Sequence, residues 1–242
     1  MVDAVGHGVK PSHWKSRASG AVEWPTSGTG VTLDDRICTM KALTIIFCLT
    51  AGLAPVYVPA AEFGPKTVKG WSYGDVASAT SNMLGSYAQW SPNVAVTVSH
   101  VPTREVLFEI RCAEVKFFRS PGQPLEWAPP AVGDSVVAVG SAIVGWGGTT
   151  TIEPQAIAGR VDQVSIPRCD GGSQFLLQSG KTLPGMSGGP VFRASDGKAV
   201  GITVGYADAP GLGLRGSVFV PYNVLQAAWE FAKRQSPSFA GL

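Results

Sequence analysis

From about residue 62 onward the chain reads as short apolar runs broken by turn residues. The runs Lys66–Trp71, Val94–Val98, Val106–Ile110 and Val115–Arg119 each suit a short strand. The next stretch, Ser120 to Pro130, is too rich in proline for a strand interior and reads as a connector. A second set of runs follows at Ser135–Val139, Ala156–Val164, Gln174–Gln178, Pro190–Phe192, Ala199–Val204 and Ser217–Pro221. Asn223 then stands where a helix cap belongs. A helix to about Lys233 would carry Val224, Ala227, Ala228 and Phe231 on or near one face. Residues 62–242 are enough for two small antiparallel barrels and a terminal helix. The first barrel would span 62–120, the connector 121–131, and the second barrel with its helix 132–235.

The pattern changes upstream. Residues 1–40 are polar, mixed in charge and rich in Gly and Ser, and suit a disordered leader. Ala42 to Ala61 carries no charge and has the length of a bilayer-crossing helix, about 20 residues. Pro55 and Pro59 weaken its second half as a helix. A membrane anchor over 41–61 is the first expectation. A secretory-signal layout beginning at Met40-Lys41 and cleaved near Ala61, or a strand pair of the soluble core, are the alternatives.

Composition narrows the classes. Hydrophobic residues make up 45% and charged residues 15%, so a sizeable core can form; 30 glycines and 18 prolines favour many turns. A net charge of +2 gives no argument for nucleic acid. Cys38, Cys48, Cys112 and Cys169 lack metal-ligand spacing and are too sparse for a disulfide framework, so no metal or organic cofactor is expected. Gly211-Leu212-Gly213-Leu214-Arg215-Gly216 has the spacing of a dinucleotide loop. It leads into a strand and not a helix, so it reads as a plain loop.

The chemistry concentrates at Thr182-Leu183-Pro184-Gly185-Met186-Ser187-Gly188-Gly189-Pro190. A nucleophilic hydroxyl needs an approachable face and amide donors aimed at the developing oxyanion. Gly185 can turn the backbone so that its own N–H and that of Ser187 converge, and Gly188 and Gly189 keep side chains out of the way. The run G-x-S-G-G-P followed by Val191-Phe192 resembles the nucleophile loop of trypsin-like (chymotrypsin-fold) serine proteases. Gly133-Asp134-Ser135 through Gly140, Gly197 through Ile202, and Ser217 through Pro221 before a helix are similar to that family's second barrel. Thr182 completes a T-x-x-G-x-S-G pattern, found in sobemovirus-type viral polyprotein proteases. The resemblance implies a mainly β fold of two six-stranded-type barrels with a C-terminal helix. It also implies an endopeptidase acting through an acyl-enzyme on Ser187.

Such chemistry needs a base and a carboxylate. His100, in Thr97-Val98-Ser99-His100, resembles the family's T-A-A-H block and is the one histidine of the protease-like region; His7 and His13 lie in the leader. Glu114, in Glu114-Val115-Lys116-Phe117-Phe118, resembles the D-L-A-L-L block with Glu for Asp. The two are only 14 positions apart, little room for most of a hairpin. Two registers therefore stand. In one, His100 is the base and the acid is Glu114, Glu126 or Asp134. In the other, the first barrel aligns on Ser78–Asn82, the base is missing, and the protein is an inactive protease fold; a non-catalytic binding module on a protease-like barrel and a membrane-tethered viral structural protein are the remaining classes.

For substrate, Thr203-Val204-Gly205-Tyr206 is expected to offer Val204, Gly205 and Tyr206 to an extended polypeptide. Lys181 and Thr182 are expected near the pocket that reads the residue before the cut. The resemblance implies an acidic or amide preference there, a polyprotein substrate, and a site at a host membrane.

Overall fold

The computed structural model describes residues 65–77, 84–146, 149–168, 173–209, 214–235 and Phe239. The polar leader, the apolar segment 41–61, Ser78–Asn82, His7, His13, Cys38, Cys48 and Cys169 lie outside the described residues.

The described chain is mainly β, with one helix at the end. Strands β1 (Pro65–Val68), β2 (Trp71–Ala77), β3 (Leu84–Ser91), β4 (Val94–Thr97), β5 (Val106–Ile110) and β6 (Val115–Arg119) form the first sheet. Its antiparallel order is β1-β2-β3-β4-β6-β5. Strands β7 (Ser135–Trp146), β8 (Thr149–Arg168), β9 (Ser173–Gln178), β10 (Pro190–Arg193), β11 (Ala199–Ala209) and β12 (Leu214–Pro221) form the second. Here β10 pairs with both β11 and β7, and the sheet closes into a barrel. Helix α1 runs Tyr222–Gln235.

Several boundaries differ from expectation for identifiable reasons. The expected strand Lys66–Trp71 is a hairpin: Lys69 and Gly70 both take positive φ, the conformation a two-residue turn needs, and Val68 pairs with Trp71. β3 was not expected, because Leu84-Gly85-Ser86-Tyr87-Ala88 has little β-branched character. Its middle, Gly85 to Gln89, is nonetheless buried, and the strand lies between β2 and β4. β7 and β8 run past their expected ends, because their pairing continues without a break from Ser135↔Arg160 to Trp146↔Thr149. Asn223 lies inside the helix, which starts at Tyr222. The buried helical face is Leu225, Ala228, Trp229 and Ala232, while Ala227 and Phe231 are exposed. The i, i+3, i+4, i+7 spacing was present one position away from the expected face.

One apolar cluster joins the two sheets. Val94, Val96, Val115 and Phe117 of the first sheet share it with Ile202, Val218 and Val220 of the barrel, and with Leu225 and Trp229 of α1. Trp229 lies 5.0 Å from Phe117, centroid to centroid. The connector is ordered by backbone bonds to the start of β11: Ala199 N–H donates to Glu126 O at 2.7 Å, and Ala128 N–H to Ala199 O at 2.9 Å. Its Trp127 packs with Trp90 and Tyr222. Helix and connector thus hold the sheets against each other, and the candidate site lies on segments from both.

Candidate active site

Ser187 sits on the loop between β9 and β10, partly exposed. Gly185 and Gly188 bracket it with φ of +93° and +86°. Both glycines are required. A Cβ on Gly188 would overlap Thr97 Oγ1 and the Ser86 carbonyl, and one on Gly185 would press on the Ser141 carbonyl. Met186, between them, is fully buried in the barrel core and anchors the loop from below.

The carbonyls of this loop fix where its amides point. Ile143 N–H donates to Pro184 O at 2.8 Å, and Gly189 N–H donates to Met186 O at 3.0 Å. In a planar trans peptide the N–H points opposite to the C=O. The Gly185 and Ser187 amides are therefore turned away from those acceptors, and neither has a hydrogen-bond partner among the described residues. Two unpaired donors on one rigid turn are what an oxyanion site needs.

Ser86 of β3 binds the loop to the rest of the molecule. Its N–H donates to Ser187 O at 2.8 Å, and its hydroxyl donates to Gly185 O at 3.1 Å. That hydroxyl accepts from Ser141 N–H at 3.1 Å. Ser141 in turn donates to buried Asp75 at 2.6 Å, and Asp75 is ion-paired with Lys66. Tyr73 OH lies 3.1 Å from the Ser141 hydroxyl, and burial raises its pKa above the ordinary phenol value. A continuous polar chain thus runs from β1 to the glycine turn.

His100 follows the end of β4. Thr97, at that end, donates to Ser86 O at 2.7 Å, so the histidine strand and the serine loop share Ser86 as a common partner. His100 Nδ1 lies 3.1 Å from Glu114 Oε2, with both side chains partly buried. Only one strand separates them. β5 ends in a 3-10 turn, Arg111–Ala113, and Glu114 caps that turn in the left-handed region with φ of +53°. The acid sits on the turn itself, which is how so short a spacing suffices.

The other candidate acids stand elsewhere. Asp134 accepts from Ala131 N–H at 2.9 Å and pairs with Arg193 at 3.4 Å. Glu126 is largely exposed, with Lys198 3.9 Å away.

On the substrate side, Ser187 Oγ donates to Val204 O at 3.0 Å. That carbonyl is free because β11 bulges between Thr203 and Gly205, leaving Val204 out of register with β12. Thr182 is buried, and its hydroxyl and amide both donate to Ser217 Oγ at 2.8 Å. Lys181 lies over the Tyr206 ring at 5.0 Å. The five expected substrate residues are thus gathered on adjoining segments. No cluster of metal-ligand type occurs among the described residues. Cys112 is disulfide-bonded.

Sequence reasoning passed over Ser86, Asp75, Ser141 and Lys116. Only Lys116 carried a signal, as a charge inside an apolar strand.

The family profile described as "Trypsin-like peptidase domain" matches residues 95–202, a span that includes His100, Glu114 and Ser187. The fold is that of trypsin-like peptidases. A crystal structure of Rv3671c from M. tuberculosis H37Rv, a serine-to-alanine mutant in an inactive form, superposes with a TM-score of 0.50 at 17% identity. The match covers 64% of this chain and 84% of that one. The HtrA-type protease AlgW with a tripeptide gives a TM-score of 0.49 at 16% identity, over 64% of this chain and 57% of that one. No curated protein matches this sequence significantly. At 17% identity the likeness to Rv3671c speaks to the fold alone, and residue roles rest on geometry.

Proposed function

We propose that this protein is a serine endopeptidase in which Ser187 is the nucleophile, His100 the general base and Glu114 the orienting carboxylate. The observation that carries this reading is the 3.1 Å hydrogen bond from the His100 ring to Glu114, on a segment tied through Thr97 and Ser86 to the serine loop. With Nδ1–H donated to Glu114, Nε2 is left as the acceptor a base requires. An extended peptide along β11 offers its own N–H to Val204 O and releases the serine hydroxyl to attack. His100 takes the hydroxyl proton as Ser187 Oγ bonds to the scissile carbonyl carbon. The Gly185 and Ser187 amides receive the oxyanion. His100 then protonates the departing amine, leaving the acyl-enzyme. A water, deprotonated by the same ring, hydrolyses it.

Labelling with a fluorophosphonate probe is the direct test. Label on Ser187, lost in Ser187→Ala together with peptide hydrolysis, supports an enzyme. A folded chain that takes no label and cleaves no peptide is instead a binding module on a protease-like barrel.

The finer reading is a viral polyprotein protease tethered through residues 42–61, with a preference for an acidic or amide side chain before the cut. The T-x-x-G-x-S-G spacing supports the first part and the uncharged run the second. The Lys181 ammonium over the Tyr206 ring supports the preference. Peptide-library profiling checks it: a preference for bulky apolar residues would count against it. Fractionation of full-length and 62–242 chains checks the tether.

A further inference from the structure

Lys116 is a buried lysine in the middle of an apolar strand, where the D-L-A-L-L block that this stretch resembles has alanine. Burying an ammonium is costly unless its donors are satisfied. Its side chain is 9% exposed, and the ammonium donates to Ser99 O at 2.7 Å and to Val101 O at 2.9 Å. Those carbonyls belong to the residues on either side of His100. An ammonium has three donors, and Glu109 Oε1 stands 3.8 Å away, too far for a good hydrogen bond. The strong bonds therefore go to backbone. The register delivers the side chain there, since Lys116 pairs with Thr97 on β4 and Glu109 on β5. The segment has a second restraint in Val101 N–H, which donates to Val98 O at 3.1 Å.

We propose that Lys116 is a positioning residue that clamps the backbone on both sides of His100 and so sets the ring's approach to Ser187. This rests on the reading of His100 as the base. The clamp acts on placement of the base and not on substrate affinity. Misplacing a general base forfeits part of the roughly 10²–10⁴-fold that such a group contributes.

The test compares Lys116→Met, which keeps length and apolar stem but removes the donors, with Glu109→Gln, which leaves both carbonyl bonds in place. Lys116→Met is expected to lower kcat by about 10- to 100-fold with KM within about twofold. It should also shift or broaden the His100 Nδ1 proton resonance. Glu109→Gln is expected to match the parent in all three. A folded Lys116→Met chain with parental kcat overturns the proposal. So does an equal loss in Glu109→Gln, which would place the effect in the ion pair. Should Lys116→Met fail to fold, Lys116→Gln is read in the same way. If the parent chain has no peptidase activity, the functional reading falls and the clamp is judged on the resonance alone. An unchanged His100 signal in the Lys116 variant then overturns it.

Discussion

The two sheets bring the proposed chemistry into place by different means. The barrel closes on itself, and its serine loop is fastened by backbone bonds and an apolar plug. Ile143 holds Pro184, Thr203 exchanges bonds with Gly188 and Gly189, and Met186 fills the core beneath. The first sheet holds its histidine and glutamate with side chains: Lys116 on two carbonyls, Glu114 on the ring, Ser99 and Thr97 on neighbouring backbone. A closed ladder satisfies its own polar groups and can leave a glycine turn with two donors to spare. A sheet whose working residues lie beyond a strand end must supply partners from elsewhere. In the proposed mechanism the oxyanion donors are therefore backbone amides, and the base is held by charged side chains.

The comparison can be broken first at the side-chain half. His100→Ala or Glu114→Gln is expected to lower kcat by about 10²–10⁴-fold. The loss of activity should far exceed any change in unfolding temperature, which reports only the partly buried His100–Glu114 pair. Steady-state hydrolysis beside thermal unfolding checks it. Loss of fold in Glu114→Gln would show the carboxylate to be structural.

Gly188→Ala strikes the seam between the halves. The added Cβ meets Thr97 Oγ1 and Ser86 O, and φ of +86° is unfavourable for alanine. Overpacking and a left-handed backbone together cost about 2–5 kcal/mol. Denaturant unfolding should show that loss, together with loss of probe labelling at Ser187. A parental midpoint would mean that the seam is looser than described.

Asp75→Asn tests the polar chain linking β1 to the glycine turn. It removes the ion pair with Lys66 and weakens the bond from Ser141. A stability loss of about 1–3 kcal/mol is expected. The accompanying fall in kcat should be smaller than that of His100→Ala. Unchanged kcat with reduced stability would confine the network to structure.

The mildest effect is alkaline. Burial raises the pKa values of Tyr73 and Tyr87 above 10.0 in the fold. The neutral phenol is therefore favoured by folding. Its contribution is fully present below the ordinary value and is lost as pH rises through the raised one. Unfolding measured from pH 9 to 12 should show falling stability, less steeply in Tyr73→Phe. An identical slope in that variant would remove Tyr73 from the account.

Much of the second half was legible in the chain. Six apolar runs, the proline-rich connector and the glycine-bracketed serine each follow from local chemistry: strands need apolar runs, tight turns need glycine, and proline stops pairing. The first half was legible only at β4, β5 and β6. The Lys69-Gly70 turn carries no Asn-Gly or Asp-Gly signature, and β3 takes its stability from neighbours on both edges, which no local propensity reports. The choice of acid was undecidable by spacing, because spacing cannot reveal that Glu114 itself forms the turn.

By itself the sequence determined that this is a mainly β chain, and that the Gly185–Pro190 turn is the place to look for chemistry. Only the tertiary structure decided which carboxylate faces His100, that Ser86 joins the serine loop to the histidine strand, and that a buried lysine grips the backbone around the ring. The physical reason is range. Turn and strand preferences act between residues a few positions apart, whereas these partners meet only after two sheets pack through a shared apolar core.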